Sequence, residues 1–225
     1  MGYLNTALFG IYPYIALTVL FVGSWARYDH GQFTWKSGSS QMLRKKNMRV
    51  ASNLFHIGVL VIFFGHFVGL LTPHWVYEPF ISAGHKQIMA IVVGGIAGIM
   101  CFVGAAMLFK RRLTDPRVRA SSSGADILII GLLLAQVTLG LSTIVPTLGE
   151  LDGHNMLLLA DWAQGIFTFN PHAADYLAGT NPIYRIHIFL GLTIFLVFPF
   201  TRLVHIFSVP LEYITRRYQV VRKRA

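Results

Sequence analysis

A chain of 225 residues that is 54% hydrophobic and only 12% charged is not an ordinary soluble domain, because soluble domains carry roughly 25% charged residues. Its mean hydropathy is +0.57, and its apolar residues fall in long blocks, which favours a membrane protein. The net charge of +10 does not indicate nucleic-acid binding, because the Lys and Arg residues lie in the short connections between apolar blocks, as the positive-inside pattern requires.

Five apolar runs are each long enough, at about twenty residues, to cross a bilayer as a helix. In chain order they are approximately 4–25, 50–71, 87–109, 127–145 and 183–207. The first run has no basic segment ahead of it, and its positive charges, Arg27 and Lys36, follow it. We therefore interpret it as a retained helix and not as a cleaved signal. The sequence predicts an all-α integral membrane protein with residues 1–225 in a single membrane domain.

The distribution of Lys and Arg predicts the orientation of the chain. Basic residues cluster in the first and third connections and in the tail 208–225, whereas the second and fourth connections are nearly free of them. We expect those two basic connections and the C-terminus to be cytoplasmic and the N-terminus to be periplasmic. The segment Met156–Phe169 is a candidate interfacial helix. Tyr213–Arg224 is a candidate docking segment for a partner, with attraction to anionic lipid as the alternative.

Four of the nine histidines lie inside the predicted spans, with His56 and His66 on the second and His187 and His205 on the fifth. Ionisable side chains in a bilayer are costly and are therefore functional candidates, although a neutral imidazole bonded to a neighbouring helix is the alternative for any one of them. The second and fifth spans run in opposite directions. His56 is thus expected beside His205 near the inner surface, and His66 beside His187 near the outer surface. Two imidazoles at each depth are a standard axial pair for haem iron.

The spacing of these histidines is not fully consistent with two straight helices. His187 and His205 are eighteen residues apart, or about 27 Å along a helix, whereas His56 and His66 are separated by about 15 Å. Tilt or a kink at Pro199 could absorb the difference.

Glycine and cysteine usage adds two expectations. Gly65 adjoins His66 and would permit close approach of a flat macrocycle, with packing between helices as the alternative, and for the other glycines of the spans packing is at least as good an explanation. Cys101 is the only cysteine. The chain therefore has no Cys-x-x-Cys-His motif for covalent haem attachment and cannot hold an iron–sulfur cluster with several thiolates of its own.

Several long strings resemble the gamma, or cytochrome b, subunit of membrane-bound respiratory nitrate reductase, and the likeness runs nearly from end to end. The strings are Ile11–Tyr14, Gly23–Trp25, Arg27–Asp29, Ser40–Leu43, Ala51–His56, Gly65–Phe67, Leu71–Trp75, Gly124–Leu128, Phe198–Phe200 and Arg202–Ile206.

The resemblance implies five spans and two non-covalent b haems, one held by His56 and His205 and the other by His66 and His187. It also implies a quinol site near the second of these haems, at His66 and Lys86; without the resemblance, Lys86 would be interpreted as a snorkelling anchor. Electrons would pass to an iron–sulfur beta subunit and a molybdenum-containing alpha subunit in the cytoplasm. The chain would then be the quinol-oxidising subunit of a nitrate reductase in the bacterial inner membrane.

Two alternatives to this function remain at this point. One is a related cytochrome b that feeds another redox complex, of the sulfite or heterodisulfide type. The other is a transporter that uses the histidines as a proton relay.

Overall fold

The computed structural model describes residues 2–40 and 42–208, so the predicted docking segment Tyr213–Arg224, and the tail after Ser208, lie outside the described residues. Within them the regular structure is entirely helical, and five helices are long and apolar enough to cross a membrane. This confirms the predicted all-α fold with five spans. The first to fifth spans are Gly2–His30, Met48–Leu71, Ala83–Thr114, Gly124–Leu148 and Pro182–Phe200.

The third and fourth spans begin earlier than their apolar runs because polar side chains cap them. The Ser82 hydroxyl accepts a hydrogen bond from the backbone N–H of His85, so the third span begins at Ala83 and includes Lys86. Ser123 and Asp126 form a reciprocal capping box at the start of the fourth span. Caps satisfy N–H groups that a helix leaves unpaired at its first turn, which is why polar residues extend both helices.

The fifth span ends sooner than its apolar run. Its α-helix ends at Val197, a 3₁₀ turn covers Phe198–Phe200, Thr201 is extended, and a separate 3₁₀ segment covers Arg202–Ser208. Pro199 lacks the N–H that a continuing helix would need. The expectation of one continuous helix from 183 to 207 is therefore wrong, and so is the expected separation of about 27 Å between His187 and His205, which assumed it.

A side chain from the first span stabilises this break. Nη1 of Arg27 donates to the carbonyl of Pro199 at 2.6 Å and to that of Thr201 at 2.7 Å. Carbonyls at the end of a helix have no partner within the helix, and a cation is a favourable one. Arg27 thus helps to hold the segment that carries His205.

The spans pack in the order second, third, fourth, fifth, first, so the second and fifth are not neighbours. Small residues bring the second and third together: a Cβ on Gly58 would lie 2.6 Å from both the Ala97 oxygen and the Cys101 nitrogen. A Cβ on Gly98 of the third span would lie 2.6 Å from Cδ2 of Leu141 on the fourth. These glycines therefore serve helix packing.

A shorter helix, His154–Phe167, lies in the connection between the fourth and fifth spans. Trp162 is 8% exposed, packs in a core cluster with Phe9 of the first span and donates its indole N–H to the Phe9 carbonyl at 2.9 Å. Gln164 donates to the Leu70 carbonyl at 2.9 Å, near the end of the second span. This helix therefore joins the ends of two spans, in the region for which the sequence predicted the interfacial helix Met156–Phe169.

Candidate functional site

The rings of His66 and His187 face each other. Their centres are 6.2 Å apart and their planes are inclined by 42°. The two residues belong to the second and fifth spans, which do not adjoin in the packing order. The two imidazole rings therefore meet across the space between two spans whose backbones are not in close contact.

Three of the four histidines have the ring Nδ1 within hydrogen-bond distance of a backbone carbonyl three or four residues earlier. These contacts are His56 to Ser52 at 2.7 Å, His66 to Ile62 at 2.8 Å and His205 to Arg202 at 2.5 Å. A carbonyl oxygen only accepts, so Nδ1 carries the proton in each of these rings. The lone pair of the neutral ring then lies on Nε2, which is free to bind a metal.

His187 is the exception to this pattern. Its Nδ1 is buried and has no hydrogen-bond partner among the described residues. Its ring Nε2 lies 3.4 Å from the amide nitrogen of Gln136 on the fourth span, and the same amide donates to the His187 carbonyl at 3.1 Å. A side chain, instead of the preceding turn of its own helix, therefore orients this imidazole.

His56 lies nearer the start of the second span, and His205 lies beyond the end of the fifth. His56 is exposed on the second span, and the Ser52 hydroxyl lies 3.2 Å from its Nδ1. His205 is half-buried on the 3₁₀ segment that follows the break in the fifth span. Across the described ranges a close histidine ring contact is recorded for His66 and His187 but not for His56 and His205, so the predicted pairing of these two stays a prediction.

The surface of the second span near His66 is open and apolar. A Cβ on Gly65 or on Gly69 would meet no described atom within 4 Å. Phe63, Phe64 and Phe67 are all more than half exposed on the same stretch. Gly65 is therefore not a helix-packing glycine as Gly58 is, and a flat apolar group has room beside it.

Lys86 is buried at the end of the second span. Only 7% of it is exposed, and its Nζ donates to the Gly69 carbonyl at 2.9 Å and lies 3.6 Å from the ring centre of Tyr77. A snorkelling anchor keeps its ammonium in water, whereas this ammonium is buried against protein groups. The Lys86 ammonium thus contacts the second span at Gly69, three residues after His66 in the sequence.

Tyr77 completes the surroundings of Lys86. Its hydroxyl is buried and has no hydrogen-bond partner within 2–40 and 42–208. Burial, together with the carboxylates of Asp161 and Glu78, raises the pKa of Tyr77. The phenol therefore stays protonated at physiological pH and can donate a hydrogen bond. Sequence reasoning missed Tyr77, because it lies in a short helix, His74–Tyr77, outside every apolar run.

Three arginines border the segment that carries His205. Arg27 binds the carbonyls at the helix break, as described above. Arg112 donates to the Ser122 hydroxyl at 2.7 Å and lies 3.7 Å from the Asp126 carboxylate. Arg202 lies 3.5 Å from the same carboxylate and donates to the carbonyls of Ser37 and Gly38. Two cations thus share one carboxylate at this end of the fold.

Within the part of the chain that the structure describes, no group of three or more His, Cys, Asp or Glu side chains is placed to hold a metal ion. His66 and His187 come together as a pair, which suits a metal whose other ligands belong to a cofactor.

The chain matches the family model of the nitrate reductase gamma subunit over residues 5–224. It is 54% identical over 224 residues to the respiratory nitrate reductase 1 gamma chain of Escherichia coli (strain K12), with 100% of both chains covered. The corresponding nitrate reductase 2 gamma chain of that organism is 55% identical over 222 residues, with 99% and 98% covered. The nitrate reductase gamma chain of Bacillus subtilis (strain 168) is 40% identical over 220 residues, with 97% and 98% covered.

Proposed function

Because this chain belongs to the nitrate reductase gamma subunit family and is a multi-pass membrane subunit of a respiratory nitrate reductase, we propose that it is the dihaem cytochrome b that oxidises membrane quinol for that complex. The chain would lie in the bacterial inner membrane with its N-terminus periplasmic. Its partners would be an iron–sulfur beta subunit and a molybdenum-containing alpha subunit on the cytoplasmic side, where nitrate is reduced.

The observation that carries this proposal is the distance between the rings of His66 and His187. Metal–imidazole bonds are about 2 Å long, and a ring centre lies about 1 Å behind its nitrogen, so an iron shared by two imidazoles requires ring centres about 6 Å apart. The observed 6.2 Å fits that requirement, and the open face at Gly65 and Gly69 fits a flat macrocycle.

The hydrogen bonds of the histidines support the same assignment. Metal-ligating histidines almost always donate their second ring nitrogen to a carbonyl or a carboxylate, which fixes the tautomer. His56, His66 and His205 each do so with a backbone carbonyl. We assign His66 and His187 to the haem near the periplasmic side and His56 and His205 to the haem near the cytoplasmic side.

Bound in these two places, the haems would supply the one-electron steps that carry electrons from quinol towards the iron–sulfur subunit. The chain's own residues would bind the quinol and remove its protons. Lys86 has an ammonium donor that is not used up by the Gly69 carbonyl, since an ammonium group has three N–H bonds. We propose that it holds a quinol oxygen on the side of the haem bound by His66. Protons released there would leave towards the periplasm.

Of the two alternatives, a related cytochrome b of a sulfite or heterodisulfide complex is disfavoured by the full-length matches to nitrate reductase gamma chains. A histidine-lined proton transporter is disfavoured because, among the described residues, the Nε2 atoms of His56, His66 and His205 are not linked to further proton donors or acceptors. Three rings direct their proton to their own backbone and leave Nε2 without a described partner, whereas a relay would require proton donors and acceptors linked in sequence.

The test of this proposal is haem content in the purified complex, with variants of each pair. We expect two b haems per copy of this chain. His66→Ala and His187→Ala should each remove the same haem, and His56→Ala and His205→Ala the other one. If the pairs sort differently, for example with His66 and His56 affecting one haem, the assignment is wrong.

A further inference from the structure

His205 lies on a segment whose local structure is weak. The segment Arg202–Ser208 is a 3₁₀ helix of seven residues, whereas 3₁₀ runs longer than three or four residues are uncommon, because their hydrogen bonds have poorer geometry. It follows an extended residue, Thr201, so the α-helix of the fifth span does not continue into it. The position of the His205 ring therefore depends on contacts with other parts of the chain.

The backbone of Arg202 orients the His205 ring, whose Nδ1 lies 2.5 Å from the Arg202 carbonyl oxygen. This carbonyl can hold the ring in one orientation only if Arg202 is itself fixed. The Arg202 guanidinium donates to the carbonyls of Ser37 and Gly38 in the first connection. It also lies 3.5 Å from the carboxylate of Asp126 on the fourth span. The side chain of Arg202 is therefore anchored on two other parts of the chain.

Residues 35–38 of the first connection, which we call the strap, also contact the far end of this segment. The Trp35 indole stacks on Phe207, with ring centres 6.4 Å apart and planes inclined by 26°, and its N–H donates to the Ser208 hydroxyl. Trp35 also packs against a core cluster that includes two residues of the segment. The strap therefore contacts the segment on both sides of His205 in the chain.

Gly38 allows the strap to make its contact with Arg202. Its φ is +54°, in the left-handed region that glycine adopts without strain. A Cβ at this position would lie 3.0 Å from Nη2 of Arg202. The missing side chain therefore lets the strap turn and lets the guanidinium reach its carbonyls.

We propose that the strap positions His205 as a haem ligand. It holds Arg202 in place at one end of the segment and Phe207 at the other, and Arg202 in turn holds the imidazole. Trp35 and Gly38 are thus positioning residues that act on the ring through other side chains. The inference rests on the proposed function, since it assigns His205 to a haem. It gives a role to a connection for which the sequence predicted only an orientation, and it makes that role specific to one of the two haems.

The test is Gly38→Ala in the complete enzyme complex, read by the low-spin ferric electron paramagnetic resonance of each haem. An uncharged change is chosen because replacing Arg202 would alter the charge near the haem whatever the position of the ring. Partners of a ligating imidazole set its orientation and basicity, and the ferric resonance of the haem responds to both. We expect the resonance of the haem assigned to His56 and His205 to shift, broaden or disappear, while the other haem keeps its wild-type resonance. An unchanged resonance at the first haem, or equal changes at both, overturns the proposal.

The matched control is Gly31→Ala in the same connection. A Cβ on Gly31 would lie 3.4 Å from its nearest neighbour, Oγ1 of Thr34, which is an ordinary contact, and the φ of Gly31 is −147°, so alanine does not need a left-handed backbone there. Both haems should keep their wild-type resonances in this variant. A shift as large as that of Gly38→Ala would show that any change in the first connection disturbs the fold, and it would overturn the proposal.

A second pair of variants keeps the proposal testable if Gly38→Ala does not assemble. Trp35→Leu removes the stack on Phe207, and Phe33→Leu is its control, because Phe33 lies in the same connection and is 97% exposed. Trp35→Leu should change the resonance of the same haem alone, and Phe33→Leu should change neither. An unshifted resonance in Trp35→Leu overturns the proposal. Fewer than two b haems in the wild-type complex would instead refute the proposed function, and the role of the strap with it.

Discussion

Replacing Lys86 by methionine tests the quinol site most sharply. The substitution nearly keeps the length of the side chain and removes the ammonium group, which lies over the Tyr77 ring and donates to the Gly69 carbonyl at 2.9 Å. A hydrogen bond to a charged group contributes about 1.5–3 kcal/mol. If Lys86 gives one such bond to quinol, its loss should slow quinol-driven haem reduction about 10- to 100-fold, since each 1.4 kcal/mol is a factor of about ten.

The assay is stopped-flow reduction of the haems by a soluble quinol in the purified complex, read at the haem absorbance bands. Both haem spectra should remain, because Lys86 is not a proposed iron ligand. Lys110→Met is the matched control, since Lys110 is an exposed lysine near the other end of the same span. In this variant quinol should reduce the haems at the wild-type rate. Wild-type reduction in Lys86→Met would remove Lys86 from the quinol site.

Three further outcomes are expected. Gly58→Ala forces a Cβ to within 2.6 Å of backbone atoms of the third span. It should destabilise the fold by about 1–3 kcal/mol, the usual cost of overpacking, and lower the temperature of haem loss on heating. Gly94→Ala on the third span, where a Cβ would meet no described atom within 4 Å, is the control, and equal temperatures for the two variants would refute this packing. Arg27→Met removes the donor to the carbonyls at the helix break and should weaken retention of the haem assigned to His205 in a haem assay; equal loss of both haems would contradict this. Tyr77→Phe removes a buried hydroxyl that has no described partner, so thermal stability should be unchanged or slightly increased, and a clear loss measured by thermal unfolding would show a missed hydrogen bond.

The five spans could be predicted because hydropathy is a local property of the sequence, whereas the sequence placed His205 inside the fifth span and the structure places it beyond the end of that span. The helix break could be predicted only in part. Pro199 marks a kink, but the separate 3₁₀ segment that carries His205 is held by Arg27, whose carbonyl partners are 172 and 174 residues away. A contact between residues so far apart in the chain cannot be predicted from a short stretch of sequence.

The surroundings of the candidate site were harder to predict for the same reason. Hydropathy placed Lys86 at the edge of a span, whereas the Ser82 cap extends the helix and buries Lys86 against Tyr77. Gln136 is 51 residues from His187, and its contact with that histidine follows only from the packing of the fourth span on the fifth. The sequence did contain one signal for it, a single amide within an apolar run.

The central claim is that two pairs of imidazoles each hold one haem iron from both sides. It is tested most directly by measuring b haem per copy of the chain in the purified, reduced complex, with and without carbon monoxide. The account predicts two haems and a spectrum that carbon monoxide does not change, because both axial positions are filled. A single haem, or a haem that binds carbon monoxide readily, would contradict it.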